Sequence, residues 1–132
     1  MSRRVTDNKV IYIRFRKDLD DLIAQEALRT NTHKATLVGG ALTEYIRSIA
    51  SSCGGKVSSI DKTSLNFSSL SSSFFVKTGR TVTGRALGKP MRVTLKMVDE
   101  GNMRLAALST GYTITQFRTA IMVTWAVQNN LL

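Results

Sequence analysis

Val10–Lys17 reads VIYIRFRK, in which Ile11, Ile13 and Phe15 alternate with Val10, Tyr12, Arg14 and Arg16. Successive side chains of a strand point to opposite faces. Val10, Tyr12, Arg14 and Arg16 therefore share one face, and Ile11, Ile13 and Phe15 share the other. The second face is wholly apolar and belongs on a core. The first carries two arginines and suits an anionic surface. The same pattern returns 80 residues later in MRVTLKM, where Met91, Val93, Leu95 and Met97 alternate with Arg92, Thr94 and Lys96.

Each strand is followed by two helical patterns. After the first, Leu19, Leu22, Ile23 and Ala27 recur at helical spacing. Asp18, Asp20 and Asp21 lie at the positive end of that helix dipole, Arg29 lies near its negative end, and Asn31 is a left-handed stop. A second helix is predicted over residues 35–50, with Leu37, Ala41 and Tyr45 in one row and Val38, Leu42, Ile46 and Ile49 in the next. Gly39 and Gly40 lower its propensity and are read as marking close helix–helix contact.

After the second strand, Asp99 and Glu100 open a helix with Met103, Ala106 and Ala107 inside and Gly111 as its stop. Thr113 and Gln116 form a capping box for a last helix that carries Ile114, Phe117, Ile121, Met122 and Trp125 and is expected to run almost to Leu132. Pro90 cannot donate to a ladder and suits the residue just before a strand. Tyr45 and Trp125, in rows at spacing four, read as core residues.

Residues 1–9 read as a flexible basic arm in which Arg3 and Arg4 can contact phosphate. Residues 51–89 differ in composition, with ten serines between Ser51 and Ser73. This stretch reads as a Ser/Gly-rich basic linker. Its Leu65, Phe67, Leu70, Phe74, Phe75 and Val76 leave two options open, disorder or a small packed element.

The bulk numbers narrow the function. The 132 residues fit a single domain. Nineteen Lys and Arg against nine acidic residues give a net charge of +10 and a pI near 10.4. That excess points to a polyanion, nucleic acid before an anionic membrane. One cysteine, Cys53, allows no internal disulfide and no paired-thiolate metal site. With a single histidine, His33, no nucleophile–base pair or metal cluster can be named. An enzyme is therefore not expected, and neither a cofactor nor a metal is called for. No apolar stretch follows the basic N-terminus and no run of eighteen apolar residues occurs. A signal peptide and a membrane span are thus not expected, and the bacterial cytoplasm is the expected location.

A shift of 80 residues superposes the blocks at 10–50 and 90–132 without a gap. Ile11, Ile13 and Phe15 fall on Met91, Val93 and Leu95, Asn31 falls on Gly111, and Leu37, Ala41 and Tyr45 fall on Phe117, Ile121 and Trp125. About 40 residues with a single strand bury too little and leave both strand edges open. Two copies can pair their strands antiparallel and interlock four helices beneath them. The expected fold is mainly α with a two-stranded antiparallel β-ribbon, an intramolecular pseudo-dimer in which residues 10–50 and 90–132 form one domain.

A strand, a helix, a short turn and a second helix, twice over, resemble the ribbon-helix-helix family of DNA-binding proteins, whose Arc and MetJ repressors carry one unit per chain. The tandem form is similar to the TraY-type accessory proteins of plasmid relaxosomes. The resemblance covers residues 10–50 and 90–130, with Gly111 at the interhelical turn of the second unit and Asn31 in its place in the first. It implies a sequence-specific double-stranded DNA-binding protein that inserts its ribbon into the major groove. Tyr12, Arg14, Arg16, Arg92, Thr94 and Lys96 would contact bases. The starts of the second helices, at Thr32, His33, Lys34, Thr36, Thr113 and Thr115, would hold phosphates. The two base-contacting triplets differ, so the expected target is asymmetric. The implied role is that of a relaxosome accessory protein at a transfer origin. A relaxase or other relaxosome proteins would be its partners, and copies would associate on adjacent sites. A repressor of the same fold and an antitoxin-like interaction protein are the alternatives.

Overall fold

The computed structural model describes residues 7–76 and 87–132. The order is β1 (Asn8–Ile13), α1 (Lys17–Arg29), α2 (Lys34–Ser52), three short 3-10 turns, β2 (Met91–Lys96), α3 (Met97–Thr110) and α4 (Ile114–Gln128). Four helices carry one two-stranded antiparallel sheet. Among the described residues no helix is long and apolar enough to cross a membrane. The residues 1–6, with Arg3 and Arg4, lie outside the described range, as do residues 77–86.

Sequence alternation builds the sheet. Ile11, Ile13, Phe15, Met91, Val93 and Leu95 are all buried beneath it, as their spacing of two requires. Its boundaries differ from those expected. The first strand is Asn8–Ile13, not Val10–Lys17, and Lys17 already belongs to α1. Asn8 and Lys9, expected in a free arm, are paired with Lys96 and Leu95. The ladder ends at the Ile13↔Met91 pair, with Pro90 the residue just before β2. Pairing resumes beyond it as an isolated bridge between Arg16 and Leu87, with the Gly88 amide donating to the Phe15 carbonyl (2.8 Å).

The helices pack under the sheet by their expected stripes. Leu19, Ile23 and Ala27 of α1, Val38, Leu42, Ile46 and Ile49 of α2, and Met103, Ala106 and Ala107 of α3 are buried. Leu37, Ala41 and Tyr45, the second row on α2, are only half-buried. In α4 the run Phe117–Thr124 is buried throughout, so this helix is the centre of the molecule. Both interhelical stops adopt left-handed geometry, Asn31 at φ 56° and Gly111 at φ 82°. The capping box at Thr113 and Gln116 is present. The helix it opens runs to Gln128, with Asn129 as its C-cap. The glycine pair on α2 does not mark helix–helix contact. A Cβ on Gly39 would stand 3.4 Å from Val93 of β2, and Gly40 faces open space. Gly39 therefore admits the sheet, not another helix.

The connection from α2 to β2 is a packed element as far as it is described. Its 3-10 turns are Val57–Ser59, Lys62–Ser64 and Ser71–Phe74. Val57 and Ile60 are part of the core. The Ile60 carbonyl accepts from Ser109 Oγ (2.6 Å), and Thr124 Oγ1 accepts from the Ser68 amide (2.9 Å). Phe67 stacks on Tyr45 with ring centres 5.2 Å apart and meets Phe117 edge-on at the same distance. Leu65, Phe67 and Phe74 thus dock where a plain tether would leave them in water.

Candidate nucleic-acid interface

Among the described residues, nothing covers one side of the sheet. Antiparallel pairing places Tyr12 opposite Arg92, Val10 opposite Thr94 and Asn8 opposite Lys96. These six residues are exposed, while every alternate residue from Ile11 to Ile13 and from Met91 to Leu95 is buried. Tyr12, 70% exposed, is held out from the surface by strand geometry. Arg92 makes no hydrogen bond or ion pair among the described residues. Lys96 Nζ meets the Asp7 carboxylate at 3.3 Å with both groups in solvent. An exposed pair of this kind is worth about 0–1 kcal/mol, so the ammonium exchanges partners readily.

Four of the six residues predicted to contact bases therefore stand on this face: Tyr12, Arg92, Thr94 and Lys96. The other two do not join them in the ladder. Arg14 lies beyond the last pair, and its Nε donates to the Gly88 carbonyl (2.8 Å). Arg16 is drawn aside by three contacts. Its guanidinium donates to the Ser73 carbonyl, donates to Asp18 (2.8 Å) and lies 5.5 Å from the centre of the Phe74 ring. Asn8 and Val10 take their places on the outer face. The sequence carried a signal for the start of β2 in Pro90, the residue just before it.

A groove runs beside β2 under the start of α2, lined by Thr36, Gly39, Gly40, Arg92, Thr94 and Lys96. The small residues keep it open, and the first-turn amides of α2 have no partner within the helix. His33 is the N-cap residue, and its side chain makes no capping bond. Thr32 and Thr36 are exposed. Lys34 is committed elsewhere, with Nζ 3.0 Å from both oxygens of the buried Asp20. At the start of α4, Thr113 spends its hydroxyl on the Gln116 amide, and Thr115 is exposed. Lys34 and Thr113 therefore build the sites at which these helices begin.

Behind the ribbon lies a buried ionic cluster that periodicity did not reveal. Glu100, 2% exposed, accepts from Lys9 of β1 (3.0 Å), from Arg104, and from the buried Arg118 of α4 (3.3 Å). Burial works to raise the Glu100 carboxyl, and the hydrogen bonds from Lys9 and Arg104 outweigh it and hold the group below its ordinary range. Burial in turn lowers the Arg118 guanidinium, opposed by Glu100. A second link joins Arg47 of α2 to Asp99 (2.9 Å). The Lys9–Glu100 pair ties β1 to α3, and the Arg47–Asp99 pair ties α2 to α3.

Comparison with protein-family models, with curated proteins and with solved structures returns no match.

Proposed function

We propose that this protein binds double-stranded DNA in a sequence-specific manner as a tandem ribbon-helix-helix protein, with its two-stranded ribbon in the major groove. The observation that carries this reading is the outer face of the ribbon: Tyr12, Arg92, Thr94 and Lys96 exposed together on a rigid two-stranded sheet, in a chain of net charge +10. A two-stranded ribbon fits the major groove, where each base pair has its own pattern of donors and acceptors. Arg92, with no other partner among the described residues, is aimed at guanine acceptors. The first-turn amides of α2 and α4 hold flanking phosphates, which fix position without reading sequence.

The tandem arrangement supports the same reading. Under the 80-residue shift Tyr12 corresponds to Arg92, and these two residues pair directly across the ribbon. α1 and α3 begin 80 residues apart, at Lys17 and Met97, and so do α2 and α4, at Lys34 and Ile114. In this reading the Tyr12–Arg92 pair lies at the centre of a pseudo-dimer whose two units share the ribbon. In this reading Arg14, exposed beyond the last pair with only its Nε spent on Gly88, holds a phosphate, and Arg16, which spends donors on Ser73 and Asp18, positions the ribbon. The biological role we propose is that of an accessory protein at a plasmid transfer origin, on the strength of the tandem form; binding beside a nick site, and not at a promoter, is its mark.

The test is a salt-titrated binding assay on the best duplex from a randomised pool. Arg92→Ala is expected to lose roughly 10-fold in discrimination between that duplex and a scrambled one. Arg14→Ala is expected to weaken binding to both alike and to flatten the salt slope by about one. Wild-type discrimination in Arg92→Ala would refute the ribbon as the reader.

A further inference from the structure

The later turns of α2 and α4 enclose a cleft of about 560 Å³ in whose lining the ribbon takes no part. α2 turns Ala41, Glu44, Tyr45, Ser48 and Ile49 toward it, at the spacings of three and four that mark one helix face. α4 supplies Ile121, Trp125 and Gln128, and the connection supplies Ser64 and Asn66. The cleft lies on the seam between the two units, since Tyr45 and Trp125 correspond under the 80-residue shift, as do Ser48 and Gln128. Trp125 is half-exposed, and among the described residues its indole takes part in no ring pair. The Tyr45 hydroxyl is buried near the Asn66 backbone without good hydrogen-bond geometry to any described residue, and can accept a further N–H.

Charge selects the ligand. No Lys, Arg or His lines the cleft, in a chain that has nineteen Lys and Arg. Seven of the nine acidic residues are held by a cation, and among the described residues only Glu44 and Asp61 are not. Arg47, one turn along from Glu44, is turned to Asp99 (2.9 Å). The Glu44 carboxylate therefore stands unspent at the cleft. An anion would meet that carboxylate with no counter-charge beside it. A cation meets a carboxylate and an indole together, and the face of an indole attracts an ammonium within about 6 Å of the ring centre. Ser48, Asn66 and Gln128 offer side-chain oxygens to its remaining N–H groups, and Ala41, Ile49 and Ile121 meet an apolar body. We propose that this cleft binds a small organic amine in its cationic form, with Glu44 as the counter-ion and Trp125 as the aromatic wall. The site stands apart from the DNA reading and does not rest on it.

Trp125 is the single tryptophan of the chain, so its fluorescence reports on this cleft in the intact protein. The experiment titrates the full chain, without DNA, with phenethylamine and with phenethyl alcohol, a closely matched uncharged control. The amine is expected to change the Trp125 emission saturably and to bind about fivefold more tightly than the alcohol. Glu44 is exposed, and Glu44→Gln keeps its size. That variant is expected to lose about fivefold for the amine and nothing for the alcohol, whose unchanged binding shows the cleft still formed. Asp61→Asn, at the other carboxylate without a cation, is expected to bind both compounds as the wild type does. An emission that does not saturate, equal binding of amine and alcohol, wild-type affinity for the amine in Glu44→Gln, or a loss in Asp61→Asn as large as in Glu44→Gln would each overturn the site.

Discussion

Glu100 shows how one side chain serves the interface without touching it. It holds Lys9 of β1, Arg104 of its own helix and Arg118 of α4 at a single buried carboxylate. Removing its charge leaves Arg118 buried with a weaker partner, and such losses cost more than the intact pair contributes. Glu100→Gln is expected to cost roughly 2 kcal/mol at neutral pH by chemical denaturation. The pH dependence has a definite sign. The folded carboxyl is held below its ordinary value of 4.5, so its contribution is complete above that value and fades as pH falls through the lower folded value. The difference between wild type and Glu100→Gln should therefore narrow in acid. A gap that stays constant down to pH 3 would assign the loss to packing. Gly88 shows a steric constraint of the same residue-level kind: a Cβ there would stand 2.5 Å from Cγ of Asp20, which Lys34 holds in place.

At the scale of elements, the connection between α2 and β2 carries more of the fold than its composition suggests. Ile60 is buried against the core, and its carbonyl accepts from Ser109 of α3. Ile60→Ala is expected to destabilise the protein by about 3 kcal/mol, a core value and not a linker value, measurable by thermal or denaturant unfolding. A loss below about 0.5 kcal/mol would mean the connection is a tether after all. The strands and helices were legible because periods of 2 and 3.6 are local properties, and Asn31, Gly111 and the Thr113–Gln116 box punctuate them locally. The connection was not legible, because its apolar residues follow no period and are bought into order only by α3 and α4, far away in sequence. The Glu100 cluster was hidden for the same reason, since Lys9 and Arg118 meet it from 91 and 18 residues away. The ribbon face was half legible: alternation gave the direction of each side chain, but the stopping point depended on a pairing partner, and the ladder takes in Asn8 and ends at Ile13↔Met91, short of Arg14 and Arg16.

At the scale of the whole molecule, the two halves are joined through shared parts. The sheet takes one strand from each, and α4 of the second half packs on α2 of the first. The buried carboxylates brace the sheet from below and leave Arg92 to solvent. One rigid surface with unlike strands follows, and the account rests on that surface entering a duplex groove. The most direct test is a nuclear magnetic resonance titration of the full chain with double-stranded DNA, read at backbone amides and at the Arg92 guanidinium. The account predicts the largest shifts across Asn8–Ile13, Met91–Lys96 and the first turns of α2 and α4. Shifts concentrated on the outer faces of α1 and α3, where Leu28 and Leu108 are exposed, with the ribbon amides unmoved, would contradict it.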